Sequence, residues 1–186
     1  MNILVFKHKG LNIAIFIMES CYIFLNITAF IYFIFIMSGG KKVMNSLSIH
    51  EIKLGDFALT KKVFNEKDVL DFARVSTDFN PAHVDKEYPK KTIFKSQIVH
   101  GMLVGSLFSA VFGVQLPGLG SIYTKQSLKF TKPVYFGDEI TAKVVVKDIN
   151  VERNRVTFEC LAVNQNGDTV IIGEAEIMPP KEVNHA

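Results

Sequence analysis

Cysteine is scarce: Cys21 and Cys160 are the only two in 186 residues. They stand in unlike segments without the spacing of metal or redox pairs, which excludes a disulfide framework and fits a reducing compartment. Cys160 alternates with apolar neighbours and reads as a small packed hydrophobe. Also missing are a glycine-rich phosphate loop, a serine-centred nucleophile elbow and clustered metal ligands, so the chemistries that need them have no foothold. Nor is there a concentrated basic face. From Met44 onward 17 basic side chains balance 17 acidic ones, and the formal net charge of +3 sits in residues 1–43. That balance excludes a nucleic-acid surface, which needs dense positive charge.

Residues 1–43 lack proline and carry one acid, Glu19, against four lysines. Leu11–Met37 is apolar apart from Glu19 and a few small polar groups. It is long enough for a membrane helix, for which about 20 residues suffice. Lys7 and Lys9 flank one side, Lys41 and Lys42 the other, so charge counting gives no orientation. A competing expectation comes from composition. Phe, Ile, Asn, Lys, Tyr and Met dominate here, the residues with the most A and T in their codons. Gly39-Gly40 then precede Met44 at the interval at which a translated GGAGG tract precedes a start codon. On that reading synthesis begins at Met44. Either way the chain divides into a hydrophobic extension, 1–43, and a second domain, 44–186.

From Met44 the periodicity is informative. Phe57–Phe64 reads as a strand after the Gly55-Asp56 turn. Asn65 is an N-cap with Asp68 three residues on, opening a helix through Val69, Leu70, Phe72, Ala73 and Val75. Ile98–Val114 is apolar nearly all round, which predicts a helix wrapped on all sides. The period then changes to two. Strands are expected at Ser121–Phe130, from Ile140 to about Val146, at Val156–Asn164 and, beyond the Asn166-Gly167-Asp168 turn, at Thr169–Ile177. The whole predicts an α+β domain in which a meandering antiparallel sheet curls around one long helix.

Chemistry concentrates in Asp78-Phe79-Asn80-Pro81-Ala82-His83 and in His100-Gly101-Met102 at the start of the long helix. A carboxylate, an imidazole and a bare helix-start amide are the parts needed to add water across a double bond conjugated to a carbonyl. Asp78 and His83 would share the water. Five positions apart, their side chains diverge by about 140° on a regular helix, so the backbone must turn between them. Pro81 fixes its own φ and pushes Asn80 out of the α region. Gly101 would donate its N–H to the carbonyl oxygen, helped by the positive end of the helix. Each residue has a bland counterpart: Asp78 as a turn residue, His83 as a surface histidine, Gly101 as a helix-packing position. Their joint occurrence in this order favours catalysis. His100 is read as a structural neighbour.

These segments, with Gly120-Ser121-Ile122-Tyr123, resemble the MaoC-like dehydratases, and within them the (R)-specific enoyl-CoA hydratases of hot-dog fold. The likeness spans residues 48–180. It implies reversible syn-hydration of trans-2-enoyl-CoA, a homodimer whose sheets join edge to edge, and no cofactor beyond the coenzyme A thioester as substrate. Such a substrate implies a cytoplasmic domain, with residues 44–186 facing the cytoplasm if the front end is a single-pass anchor. Thr77 and Pro89 depart from the family pattern, which has Gly and a small residue there. The resemblance also marks Ser109. Eight residues beyond Gly101, about 12 Å along the helix, it is assigned with Asn80 to support of the catalytic loop. Phe112 and Ile177 are expected to narrow the acyl pocket and favour short chains. Lys90, Lys91 and Lys95 are candidates for the coenzyme A phosphates or for a solvated face. The alternatives are a dehydratase acting on acyl carrier protein, a thioesterase and a non-catalytic acyl-thioester-binding module. His100–Gln115 holds no Asp or Glu, which argues against the thioesterase.

Overall fold

The computed structural model describes residues 2–8, 11–17 and 46–181. The chain divides into two units, Met1–Val43 and Met44–Ala186. In the first, β1 (Asn2–His8) and β2 (Leu11–Ile17) pair antiparallel, Asn2 opposite Ile17 and His8 opposite Leu11. The helix expected over 11–37 therefore meets a strand in its first seven residues; 18–37, with Glu19 and Cys21, lie outside the described residues, as does Met44. Among the described residues no helix is long and apolar enough to cross a membrane.

The second unit carries the site. Its elements are β3 (Phe57–Val63), α1 (Glu66–Ser76), the one-turn helix α2 (Pro81–Val84), a 3-10 turn at Tyr88–Lys91, α3 (Gly101–Val114), β4 (Ile122–Phe130), β5 (Glu139–Asn150), β6 (Arg155–Val163) and β7 (Thr169–Met178). The strands form one antiparallel sheet in the order β3-β5-β6-β7-β4. Four consecutive strands were expected to meander, but only β5, β6 and β7 do. β4 crosses to the far side and pairs with β7, Phe130 opposite Ile171. Local alternation reveals a strand but not its partner, because pairing is decided by which face must be buried.

The α1 capping box forms as expected. The Asp68 N–H donates to Asn65 Oδ1 and the Asn65 N–H to Asp68 Oδ2, both at 3.0 Å. On β5 the alternation is clean: Ile140, Ala142, Val144 and Val146 are buried. They join Phe108, Val111 and Phe112 of α3 and Phe158, Cys160 and Ala162 of β6 in one core. Removing each of the Val, Ile and Phe side chains among them from water contributes roughly 1.5–3 kcal/mol. Cys160 packs in this core as expected, and burial pushes its thiol up to about 12. The helix is not wrapped on every side, however. One face of α3 packs on β3, β4 and β5, while Met102, Ser106, Ser109 and Ala110 are exposed. This is the α+β hot-dog arrangement, with the sheet covering one side of its helix.

Candidate active site

The loop between α1 and α2 brings the carboxylate and imidazole together. α1 ends at Thr77, which adopts a left-handed φ of 62°. That turn reverses the chain into Asp78, whose N–H donates to Ser76 Oγ at 3.2 Å. The Asn80 N–H donates to Asp78 Oδ1 at 3.2 Å, tying down one carboxylate oxygen. Asn80 then caps α2, its side-chain oxygen accepting the Ala82 N–H at 3.0 Å, with Pro81 as the first helical residue. The Asn80 amide is thus a helix cap.

A second segment clasps α2 from the other side. The Ile98 N–H donates to the Ala82 carbonyl at 3.2 Å, and Gln97 Nε2 donates to the His83 carbonyl at 2.9 Å. His83 Nδ1 lies 2.9 Å from the Ile98 carbonyl. A carbonyl oxygen only accepts, so Nδ1 carries the proton and Nε2 is left with a lone pair. Residue 98 leads directly into His100 and α3, which brings the imidazole next to the helix start.

Asp78, His83 and His100 each place one carboxylate oxygen or ring nitrogen within 4.8 Å of the other two. The backbone turn that the spacing requires is therefore present. His100 is 2% exposed, and its Nε2–H donates to the Asp78 carbonyl oxygen at 3.0 Å. Asp78 Oδ2 lies 4.0 Å from the same nitrogen, too far for a hydrogen bond. The His100 ring stacks on His83 with centroids 3.8 Å apart and 28° between planes, and meets Phe72 at 5.0 Å. Burial, and then the neighbouring His83, lowers its pKa below the ordinary imidazole range, outweighing the Asp78 contacts that raise it. It is neutral at physiological pH, and its buried Nδ1 has no hydrogen-bonding partner among the described residues. Metal ligation by the trio is disfavoured by this stacking, since lone pairs in near-parallel ring planes run side by side and do not converge.

Asp78, His83 and Gly101 line one cavity of about 480 Å³, with Phe94, Phe130 and Val134 among its apolar walls. Gly101 opens α3, so its N–H is one of those a helix leaves without an internal partner. The glycine has a packing reason as well: a Cβ here would stand 2.9 Å from two atoms of the Phe130 ring. The ring that demands glycine at this position is also a cavity wall.

Other expectations are not met. Ser109 is exposed and lines a second cavity, of about 590 Å³, with Phe72, Tyr123 and Gln126. The expected hydrogen bond from Ser109 to the Asp78 loop is not formed. Phe112 and Ile177 line neither cavity; at 2% and 0% exposed they belong to the core. Phe112 meets Tyr123 and Phe158 edge-on at 5.2 and 4.9 Å. The helical face counted from Ser109 and the strand end at Ile177 both turn toward the sheet interior, so the short-chain argument loses its basis. Lys90 pairs with Glu87 at 2.6 Å. Reading by sequence missed Phe130, Val134 and Lys132 at the cavity and gave His100 too small a part. Its position directly before Gly101 was the available signal.

The profile of the MaoC like domain matches residues 50–165. The chain belongs to the MaoC-like dehydratase family. It is 46% identical to an (R)-specific enoyl-CoA hydratase from Rhodospirillum rubrum over 130 residues, covering 70% of this chain and 90% of that protein. An (R)-specific enoyl-CoA hydratase from Aeromonas caviae is 42% identical over 134 residues, 72% of this chain and 100% of the other. Among solved structures, the unliganded R-hydratase PhaJ1 from Pseudomonas aeruginosa superposes with a TM-score of 0.71 at 41% identity, covering 75% of this chain and 89% of that one.

Proposed function

We propose that this MaoC-like domain is a hydro-lyase that reversibly hydrates trans-2-enoyl-CoA to (R)-3-hydroxyacyl-CoA. The observation that carries the reading is the convergence of the Asp78 carboxylate and the His83 imidazole, within 4.8 Å, on a cavity that also holds Gly101. Both groups are acceptors, since His83 already donates from Nδ1 to Ile98. A water held between them donates one proton to Asp78 and one to His83 Nε2, which leaves an oxygen lone pair to attack Cβ. As the O–Cβ bond forms, one O–H bond breaks toward the pair and the C=C π electrons move onto the thioester oxygen as an enolate. The Gly101 N–H stabilises that charge by donating to the oxygen; one such donor typically lowers the barrier by roughly 2.7–4 kcal/mol. The proton then passes from the pair to Cα on the face from which water came, which makes the addition syn. In this scheme the proton belongs to the pair and to neither residue alone. The reaction calls for no cofactor beyond the coenzyme A that carries the acyl group, and that carrier supports a cytoplasmic domain.

The reading includes a homodimer. The Asp78 side chain is 51% exposed in the single chain, and water exclusion strengthens charge stabilisation. β4 is an edge strand with Ile122 and Phe130 about half exposed, beside the uncovered face of α3 with Met102 at 60%. A second copy joined along this edge would bury that apolar surface, as edge strands require.

Loss of the conjugated-enoyl absorbance of crotonyl-CoA tests the activity, and a coupled (R)-specific dehydrogenase tests the product's configuration. Rates on the same acyl group carried by acyl carrier protein separate the two carriers.

A further inference from the structure

His100 does more than fill space beside the acid and base. As the residue before α3, it occupies the N-cap, where Ser, Thr, Asp or Asn would satisfy a helix N–H. Its side chain makes no capping hydrogen bond. It turns the other way, into the loop. There Nε2 lies 3.0 Å from the Asp78 carbonyl oxygen, a contact between residues 22 positions apart. The same ring stacks on His83 at 3.8 Å. One side chain thus bears on the backbone of the carboxylate and on the face of the imidazole. Its other nitrogen, Nδ1, is buried and has no partner among the described residues, an arrangement that stability alone does not favour, since an apolar ring would leave no orphaned atom.

We infer that His100 is a positioning residue for the hydration: its Nε2–H grips the Asp78 carbonyl and so sets where the carboxylate holds the attacking water. The neighbouring bonds explain why one donor matters. Thr77 turns through a left-handed φ of 62° just before Asp78, and among the described residues the other hydrogen bonds on residue 78 are those with the Ser76 hydroxyl and the Asn80 N–H, each at 3.2 Å. Without the His100 bond, the carbonyl between 78 and 79 loses its anchor, and the carboxylate shifts within what those two bonds allow. Transition-state geometry is sensitive to shifts of about 1 Å, which can cost 10²-fold in rate. Substrate recognition by the apolar cavity walls does not pass through this bond.

This inference rests on the hydratase reading, and the test separates the two. His100→Gln and His100→Met have nearly the same shape, but only glutamine places an N–H where Nε2 stands. Both variants are assayed on crotonyl-CoA beside the parent and Asp78→Asn, with thermal midpoints as the check on folding. The expected result is a kcat for His100→Met about 10- to 100-fold below the parent, with KM within threefold. His100→Gln is expected to recover at least tenfold of that loss at a similar midpoint. Equal kcat in the Gln and Met variants, or a Met variant within threefold of the parent, overturns the inference while leaving an active parent and an inactive Asp78→Asn in place. A parent that fails to hydrate crotonyl-CoA overturns the functional reading itself.

Discussion

The imidazoles of His83 and His100 lie face to face, 3.8 Å between centroids and 28° between planes, one half-buried on α2 and the other fully buried at the start of α3. Two stacked imidazoles so close do not both carry charge. The buried ring stays neutral, and burial is the larger reason.

This has a consequence for stability. The folded-state pKa of His100 is depressed from 6.5, so over the range just below 6.5 the unfolded chain binds a proton that the folded chain does not. Stability therefore rises with pH through that range and falls as pH drops below it. Thermal midpoints between pH 7.5 and 5 check this: the fall is expected to be shallower in His100→Met than in the parent. The carboxylates of Asp68, Asp85 and Asp168, all lowered from 3.8 by their hydrogen-bonding partners, act only at more acid pH. Parallel curves for parent and variant would contradict the assignment.

Thr77 is a β-branched residue held at φ 62°. The left-handed conformation costs such a residue about 1–2 kcal/mol, and glycine removes most of it. Denaturant unfolding of Thr77→Gly is expected to show a net gain of roughly 1 kcal/mol, reduced by the greater chain entropy of glycine. The Thr77 hydroxyl bond to the Ser76 carbonyl, 2.6 Å and exposed, offsets little of this.

Phe112 belongs to the core. It is buried against Phe158 and Tyr123, so Phe112→Ala is expected to lose about 3–5 kcal/mol of stability. Rates on crotonyl- and octenoyl-CoA should change together. A variant of parental stability that now prefers the longer chain would place Phe112 in the acyl pocket after all.

Much of this domain is legible in the residues. Alternation along Ile140, Ala142, Val144 and Val146 announces β5, and the Asn65/Asp68 pair announces the start of α1, because both signals are local. The pairing of β4 with β7 is not local and escapes the pattern. At the site, Asp78, Asn80, Pro81 and His83 lie within six residues, so their turn can be argued from proline and cap chemistry. His100 instead acts on a backbone carbonyl 22 positions away, which no side-chain pattern encodes. Ser109, Phe112 and Ile177 fail for a related reason: their positions were counted along an element, whereas the direction of a side chain depends on what the element packs against.

The central claim is that Asp78 and His83 together hold one water against an enoyl thioester. The most direct measurement is the initial rate of crotonyl-CoA hydration by Asp78→Asn and His83→Gln, each shown by circular dichroism to be folded. Each is expected to lose about 10²- to 10⁴-fold in kcat, and the double variant little more than the worse single one. Either single variant within threefold of the parent would contradict it.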